Sequence, residues 1–159
     1  MSQDTKNRSW SPTTFGLLAA ALLVSGLLLA LPPNTTTKLD PTVWSTPAAA
    51  ATTDKPQVLF FTADWCGPCQ NFKQNVLSRD EVSQTLTAKA TPVLVDLTAS
   101  GSEGQTAEKL ANQYRVNAIP TTILVSAQGE PISRFTGGHT TTQFINWFNK
   151  SMEASSSNE

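Results

Sequence analysis

Cysteine and histidine, two side chains that commonly bind transition metals, are scarce in this chain of 159 residues. It has two cysteines, Cys66 and Cys69, and a single histidine, His139. A structural zinc site would therefore need carboxylates to complete its four ligands, and a fold held by several disulfides is excluded. We expect no metal and no cofactor.

Charged residues are also few, at 14% of the chain, and their signs nearly cancel. The lysines and arginines number 11 and the aspartates and glutamates 12, which gives a formal net charge of −1. Proteins that bind nucleic acid through its phosphates usually carry a basic patch or an excess of basic residues. We therefore expect no nucleic-acid partner.

Residues 9–37 contain no charged residue, and the centre of this segment is strongly apolar. Residues 15–31 are Leu, Ala, Val, Phe and Gly with one serine. As a helix they would be about 25 Å long, at the short end of a membrane crossing. Lys6 and Arg8 precede this run, which favours a cytoplasmic N-terminus. A cleaved signal peptide remains an alternative, although the end of the run has no small-x-small cleavage site.

These patterns divide the chain into five parts. We expect a short cytoplasmic tail (1–14), a transmembrane anchor (15–31), a linker rich in Thr, Pro and Ala (32–54), a folded domain (55–150) and a disordered tail (151–159). Within the linker, Thr46 and Pro47 can open a short helix, and we expect Val43 and Trp44 to pack on the domain. The domain would then lie outside the cytoplasm, in a periplasm or thylakoid lumen, anchored to the inner or thylakoid membrane.

The folded domain alternates strand and helix patterns. We expect strands at residues 57–61, 91–97, 120–125 and 131–136. We expect one helix after the cysteines to about residue 77, a second at 78–88, a third at 106–114 and a last one after Thr140 or Thr141. Ser78 with Glu81 three residues later has the form of a capping box. This order predicts an α/β domain with a mixed central sheet.

Cys66 and Cys69 lie where the first strand passes into the first helix, separated by Gly67 and Pro68. A thiolate at a helix N-terminus faces unpaired backbone N–H groups and the positive end of the helix dipole, which favour the charged form. A disulfide between these residues would stabilise the fold little, because it closes a loop of only four residues. The pattern therefore favours redox chemistry, with Cys66 as the exposed attacking thiol and Cys69 as the inner, resolving thiol.

The stretch Ala63-Asp64-Trp65-Cys66-Gly67-Pro68-Cys69 resembles the active site of thioredoxins, and Ile119-Pro120-Thr121 resembles a second motif of that family. The wider pattern, which includes residues 78–82 and 95–99, is similar to the C-terminal thioredoxin-like domain of the thiol:disulfide interchange protein DsbD. The resemblance covers about residues 55–150 and implies a thioredoxin fold.

The resemblance also implies a substrate groove beside the cysteines. In this family a cis proline faces the cysteine pair, and the residue before it offers its backbone to the substrate. Here those residues are Pro120 and Ile119. The implied groove residues are Trp65, Gly67, Pro68, Ile119, Pro120 and Gly137.

Two acidic residues of the family are absent from this chain. Phe60 stands where the family has a buried aspartate, six residues before the first cysteine. Lys73 stands where DsbD-type domains have a glutamate, seven residues after it. Because a neighbouring negative charge disfavours a thiolate, we expect both changes to lower the pKa of Cys69. Asp64 is the nearest carboxylate in the sequence and a candidate proton acceptor.

The cysteine pair and the resemblance together predict a thiol-disulfide oxidoreductase. The Gly-Pro dipeptide between the cysteines resembles that of reducing thioredoxins, so we expect a reductase of protein disulfides. A reductase outside the cytoplasm needs electrons from across the membrane, which implies a DsbD- or CcdA-like membrane donor, with the lipid bilayer holding the anchor. Two alternatives stay open: a client-binding or chaperone module with little redox activity, and a disulfide oxidase or isomerase.

Overall fold

A computed structural model describes residues 37–51 and 53–156 of the chain. The predicted cytoplasmic tail and transmembrane anchor lie outside these residues, as do the start of the predicted linker and residues 157–159. Within the described part of the chain, no helix is both long enough and apolar enough to cross a membrane.

The centre of the domain is a four-stranded mixed sheet. Its strands are β1 (Gln57–Thr62), β2 (Thr91–Asp96), β3 (Thr121–Val125) and β4 (Pro131–Thr136). Their order in space is β2-β1-β3-β4. β1 pairs with β2 in parallel, whereas the β1–β3 and β3–β4 pairs are antiparallel. The sheet therefore has the mixed α/β plan expected from the sequence, and β1 leads directly into the cysteine motif.

Helices pack on both faces of this sheet. They are α1 (Pro47–Ala50), α2 (Gly67–Phe72), α3 (Asp80–Lys89), α4 (Gly101–Gln113) and α5 (Thr141–Ser156), and α2 continues as a π-helical segment, Lys73–Leu77. Phe60 of β1 belongs to an apolar core with side chains of α2, α3 and α5. Phe61, which points to the opposite face, belongs to a second core with side chains of α1 and α4. The site helix α2 thus rests on the face that holds Phe60.

Two predicted helix starts are wrong. Ser78 does not cap α3, because its hydroxyl donates to the carbonyl of Gln74 at 2.8 Å and Arg79 is the N-cap residue. α4 begins at Gly101, five residues before the predicted start at Thr106. The glycines and the serine of residues 101–105 are typical of a loop, so the sequence pattern placed the start of the helix too late. A Cβ at Gly104 would clash with the carbonyl of Ala99, so glycine is needed here for close packing rather than for a loop.

The linker prediction was right about its local structure and wrong about where the domain begins. Thr46 caps α1 by accepting a hydrogen bond from the N–H of Ala49 at 3.4 Å, as predicted. Trp44 is buried, and Ser45 forms a parallel bridge to the edge strand β2. The N–H of Ser45 donates to Pro92, and its carbonyl accepts from Leu94. Because these contacts cover the edge of β2, residues 37–51 are part of the folded domain.

The C-terminal boundary also differs from the prediction. Thr140 caps α5 as expected, since its hydroxyl oxygen accepts from the N–H of Gln143 at 3.3 Å. The helix then continues to Ser156, six residues into the segment that we expected to be disordered. Ser151 is buried, and its hydroxyl donates to the carbonyl of Trp147 at 2.8 Å. Burial of this turn explains why the helix extends beyond residue 150.

Candidate active site

Cys66 and Cys69 form a disulfide at the start of α2, with a Cα–Cα distance of 5.2 Å. Cys66 is the N-cap residue of the helix and Cys69 lies within its first turn. Cys66 is 5% exposed, whereas Cys69 is fully buried. The structure therefore shows the oxidised pair, with Cys66 the less buried of the two cysteines, and its role as the attacking thiol stays a prediction.

The helix N-terminus acts directly on the sulfur of Cys66. The backbone N–H of Cys69 donates to Cys66 Sγ at 3.2 Å, so the sulfur takes the place of a capping oxygen. Pro68 follows the N-cap closely and has no N–H to leave unpaired. In the reduced protein, this N–H and the helix dipole favour a thiolate at Cys66.

Gln70 holds the loop that leads into the cysteines. Its side-chain Nε2 donates to the carbonyls of Ala63 and Asp64, at 3.1 and 3.2 Å. Its Oε1 accepts from the N–H of Thr37 at 2.9 Å. This role of Gln70 was not predicted, because a lone glutamine carries no local signal for partners that lie as far as 33 positions away.

Ile119 and Pro120 lie beside the cysteine pair. The Ile119–Pro120 peptide bond is cis, which confirms the prediction from the resemblance. Ile119 is half-buried and packs on the small cluster formed by Ala63, Cys66 and Cys69. The loop before β3 therefore forms one side of the site.

Gly137 is tied to the same loop, because its N–H donates to the carbonyl of Pro120 at 2.8 Å. Its φ is +95°, a conformation that residues with a Cβ rarely adopt. The structure thus brings Gly137 next to Pro120, as the implied groove requires.

Trp65, Gly67 and Pro68 are exposed around the more accessible cysteine. Trp65 is 75% exposed, an unusual state for a large apolar side chain that precedes a buried cysteine. Contact of these three residues with a substrate stays a prediction.

Phe60 occupies a wholly apolar site in place of the expected acid. Its side chain is fully buried, with ring centroids 6.0 Å from Trp44 and 5.8 Å from Phe72. An ionised side chain here would lack water and would face aromatic rings. The aromatic packing explains how the domain accommodates the absence of a buried aspartate.

Lys73 is buried despite its charge, with 3% of the residue exposed. Burial lowers its pKa, and the negative charges of Asp96 and, to a lesser degree, Asp64 raise it. These residues line one cavity of about 370 Å³ together with Thr37, Lys38, Leu39 and Leu94. Asp64 is exposed, and a role for it as proton acceptor from Cys69 stays a prediction.

The described residues contain no group of three histidine, cysteine, aspartate or glutamate side chains placed to hold a metal ion. The chemistry that the site can perform with its own groups is thiol–disulfide exchange, since its reactive atoms are two sulfurs in one helical turn.

Comparison with known proteins agrees with this geometry. The model of a protein family described as a thioredoxin-like domain matches residues 45–151. Thioredoxin Y1, chloroplastic, of Arabidopsis thaliana is 41% identical over 92 residues, which are 58% of this chain and 47% of the relative. The thiol:disulfide interchange protein DsbD of Actinobacillus pleuropneumoniae is 29% identical over 102 residues, which are 63% of this chain and 17% of the relative. The chain thus spans half or less of the length of these two relatives.

A solved structure is similar as well. The oxidised C-terminal domain of DsbD from Neisseria meningitidis is 29% identical and superposes with a TM-score of 0.54. The superposition covers 65% of this chain and 90% of that domain. The family match extends over most of the folded residues and includes both cysteines. The chain therefore belongs to the thioredoxin-like family, and the matched residues include the close-spaced pair Cys66 and Cys69.

Proposed function

We propose that this protein is a membrane-anchored protein-disulfide reductase that acts outside the cytoplasm. The observation that carries the proposal is the difference between the two cysteines. Cys66 caps α2 and is the more accessible sulfur, whereas Cys69 is fully buried one turn inside. This asymmetry suits a pair in which one thiol attacks a substrate and the other releases it.

The proposed reaction has two exchange steps. The thiolate of Cys66 attacks one sulfur of a substrate disulfide, and the other substrate sulfur leaves as a thiolate and takes a proton from water. The thiolate of Cys69 then attacks Cys66 Sγ, and the second substrate sulfur leaves. Two electrons pass to the substrate, and the product on the protein is the Cys66–Cys69 disulfide, which is the state of this structure.

The surroundings of the pair support a protein substrate. Trp65 offers an exposed apolar surface beside Cys66, and Ile119 contacts the cysteine cluster from the other side. An extended peptide placed between them would bring its disulfide to the accessible sulfur. The Gly67-Pro68 dipeptide, shared with reducing thioredoxins, supports the reductase direction.

The location and the electron donor rest on the sequence outside the described residues. The uncharged, apolar residues 15–31, with Lys6 and Arg8 before them, support an anchor in the lipid bilayer with the domain on the far side. A reductase in an oxidising compartment must be reduced again after each turnover. A DsbD- or CcdA-like membrane protein is the donor that fits this need, and the similarity to proteins named DsbD supports it.

Two measurements on the full-length chain test the activity and its direction. Reduction of insulin by dithiothreitol should be faster with the protein than without it, and Cys66→Ser should abolish the increase. The equilibrium potential against glutathione should lie near the value of about −270 mV typical of thioredoxin, not near about −120 mV as in the oxidant DsbA. No acceleration would favour a client-binding module, and a potential near the higher value would favour an oxidase.

A further inference from the structure

Lys73 lies close to the buried cysteine in the fold. Its backbone N–H donates to the carbonyl of Cys69, one helical turn earlier. Residues four apart on a helix lie on the same face, with Cβ atoms about 5–6 Å apart. Since Cys69 is fully buried and Lys73 is 3% exposed, both side chains point into the domain from this face.

Two carboxylates support a positive charge at this position. Asp96 ends β2 and Asp64 lies in the loop after β1, and both act on Lys73 through their negative charges. Lysine is seldom buried without such partners. Burial is the largest effect and lowers the pKa of Lys73, whereas the charges of Asp96 and Asp64 favour its ammonium form.

The N-terminal segment lines one side of the cavity that holds Lys73. Thr37, Lys38 and Leu39 line the same cavity as Lys73, and Leu39 is 6% exposed. The charged residues that line this cavity are Lys38, Asp64, Lys73 and Asp96. Of the two lysines, Lys38 is exposed.

We propose that the ammonium group of Lys73 stabilises the thiolate of Cys69 and thereby speeds the second exchange step. Lys73 is thus a positioning residue, and it acts on Cys69 through its charge. In this step Cys69 gives its proton to water, its sulfur bonds to Cys66 Sγ, and the bond from Cys66 to the substrate breaks with the electron pair on the substrate sulfur. The inference rests on the dithiol reaction proposed above, and it does not depend on the direction of net electron flow or on the anchor.

The apolar packing of Phe60 makes this role more important. Phe60 offers no group that could take the proton of Cys69, and its neighbours Trp44 and Phe72 are aromatic. A buried thiol in such surroundings would otherwise stay protonated, because burial disfavours its charged form. The ammonium group of Lys73, one turn away, opposes that effect together with the N-terminal end of the α2 dipole.

The test is a titration of a single thiol in the full-length chain. The protein has only two cysteines, so Cys66→Ser leaves Cys69 as the sole thiol, and its ionisation can be followed by thiolate absorbance near 240 nm. Adding Lys73→Met, which keeps the length and removes the charge, should raise the pKa of Cys69 by about one unit. Lys73→Arg in the same background should keep the pKa close to that of Cys66→Ser.

A matched control uses an exposed lysine far from the site. Lys55 precedes β1 at the end opposite the cysteines, and six residues of strand place it about 20 Å away. This distance is about twice the screening length at 0.1 M salt, so Lys55→Met should leave the pKa of Cys69 unchanged. Circular dichroism of each variant verifies that it is folded.

The kinetic consequence is measured with both cysteines present. At a pH below the pKa of Cys69, a rise of one unit in that pKa reduces the thiolate fraction about tenfold. The more basic thiolate is also more nucleophilic, which increases its rate constant of attack about threefold. Release of a preformed mixed disulfide by Lys73→Met should therefore be about three- to fourfold slower at pH 7. An unchanged or lower pKa of Cys69 in folded Lys73→Met would overturn the inference. Absence of insulin reduction by the wild type would instead overturn the reductase proposal, since the thiol titration requires no turnover.

Discussion

Gln70 and Thr37 are joined by a hydrogen bond of 2.9 Å, although 33 positions separate them. The same glutamine side chain donates to the carbonyls of Ala63 and Asp64, immediately before the cysteine motif. One amide group thus connects the beginning of the described chain to the loop that carries the reactive sulfur. Thr37, the first described residue of the domain, is therefore attached to the active-site loop.

Replacement of Gln70 should loosen this connection. Gln70→Ala removes three hydrogen bonds, each worth about 0.5–1.5 kcal/mol, so we expect the free energy of unfolding to fall by about 1.5–4.5 kcal/mol. Gln74, one turn later and exposed, provides the control, and Gln74→Ala should change it by less than about 0.5 kcal/mol. Urea denaturation of both variants measures the difference. Equal changes in the two variants would show that the three hydrogen bonds of Gln70 do not stabilise the domain.

The burial of Trp44 leads to a second prediction about the same segment. Trp44 is 4% exposed and contacts the ring of Phe60, so Trp44→Ala should lower the free energy of unfolding by about 3–5 kcal/mol. Trp65 is 75% exposed, and Trp65→Ala should cost about 0.5 kcal/mol or less. Thermal melts of the two variants give the comparison. A small effect at Trp44 would restore the view that residues 37–51 are only a linker.

The sequence indicated those parts of the fold that depend on local pattern. The strand before Cys66, the turn with both cysteines and the cap at Thr140 follow from neighbouring residues. The effect of Lys73 on Cys69 was expected from the resemblance, but the hydrogen bonds of Gln70 and the burial of Lys73 beside Asp96 could not be foreseen. Both depend on segments that are distant in the sequence. The start of α4 was missed because Gly104 is selected by its contact with Ala99 and not by helix propensity.

The unequal burial of the cysteines predicts which variant traps a substrate. Cys69→Ser should accumulate mixed disulfides with client proteins, because Cys66 can attack and the resolving sulfur is missing. Cys66→Ser should not, since Cys69 is fully buried. Non-reducing gels of cells that express each variant measure the adducts. Equal trapping by both would contradict the assignment of Cys66 as the attacking thiol.

The proposed topology predicts the behaviour of reporter fusions. Alkaline phosphatase fused after Glu159, beyond the end of α5 at Ser156, should be active because this enzyme requires an oxidising compartment. A reporter that works only in the cytoplasm should be inactive at the same position. The opposite pair of results would refute a domain outside the cytoplasm.

The aromatic surroundings of Phe60 predict how the domain responds when the acid of the family is introduced. Phe60→Asp places a carboxyl group among Trp44, Phe72 and other buried side chains, where burial should raise its folded-state pKa above the usual value near 4. The unfolded chain then loses its proton more readily than the folded domain. Relative to the wild type, the stability of the variant should therefore fall as the pH rises from about 4 towards the folded-state pKa.

Phe60→Leu separates this electrostatic effect from the loss of the ring. It removes the contacts with Trp44 and Phe72 without adding a charge, so its stability relative to the wild type should be lower by a constant amount across the same pH range. Denaturation of the three proteins between pH 4 and pH 8 measures both effects. A Phe60→Asp variant whose stability parallels that of Phe60→Leu at every pH would mean that the carboxylate finds a compensating positive charge. Lys73 would be the first residue to test, since Lys73→Met in the Phe60→Asp background should then restore the fall with pH.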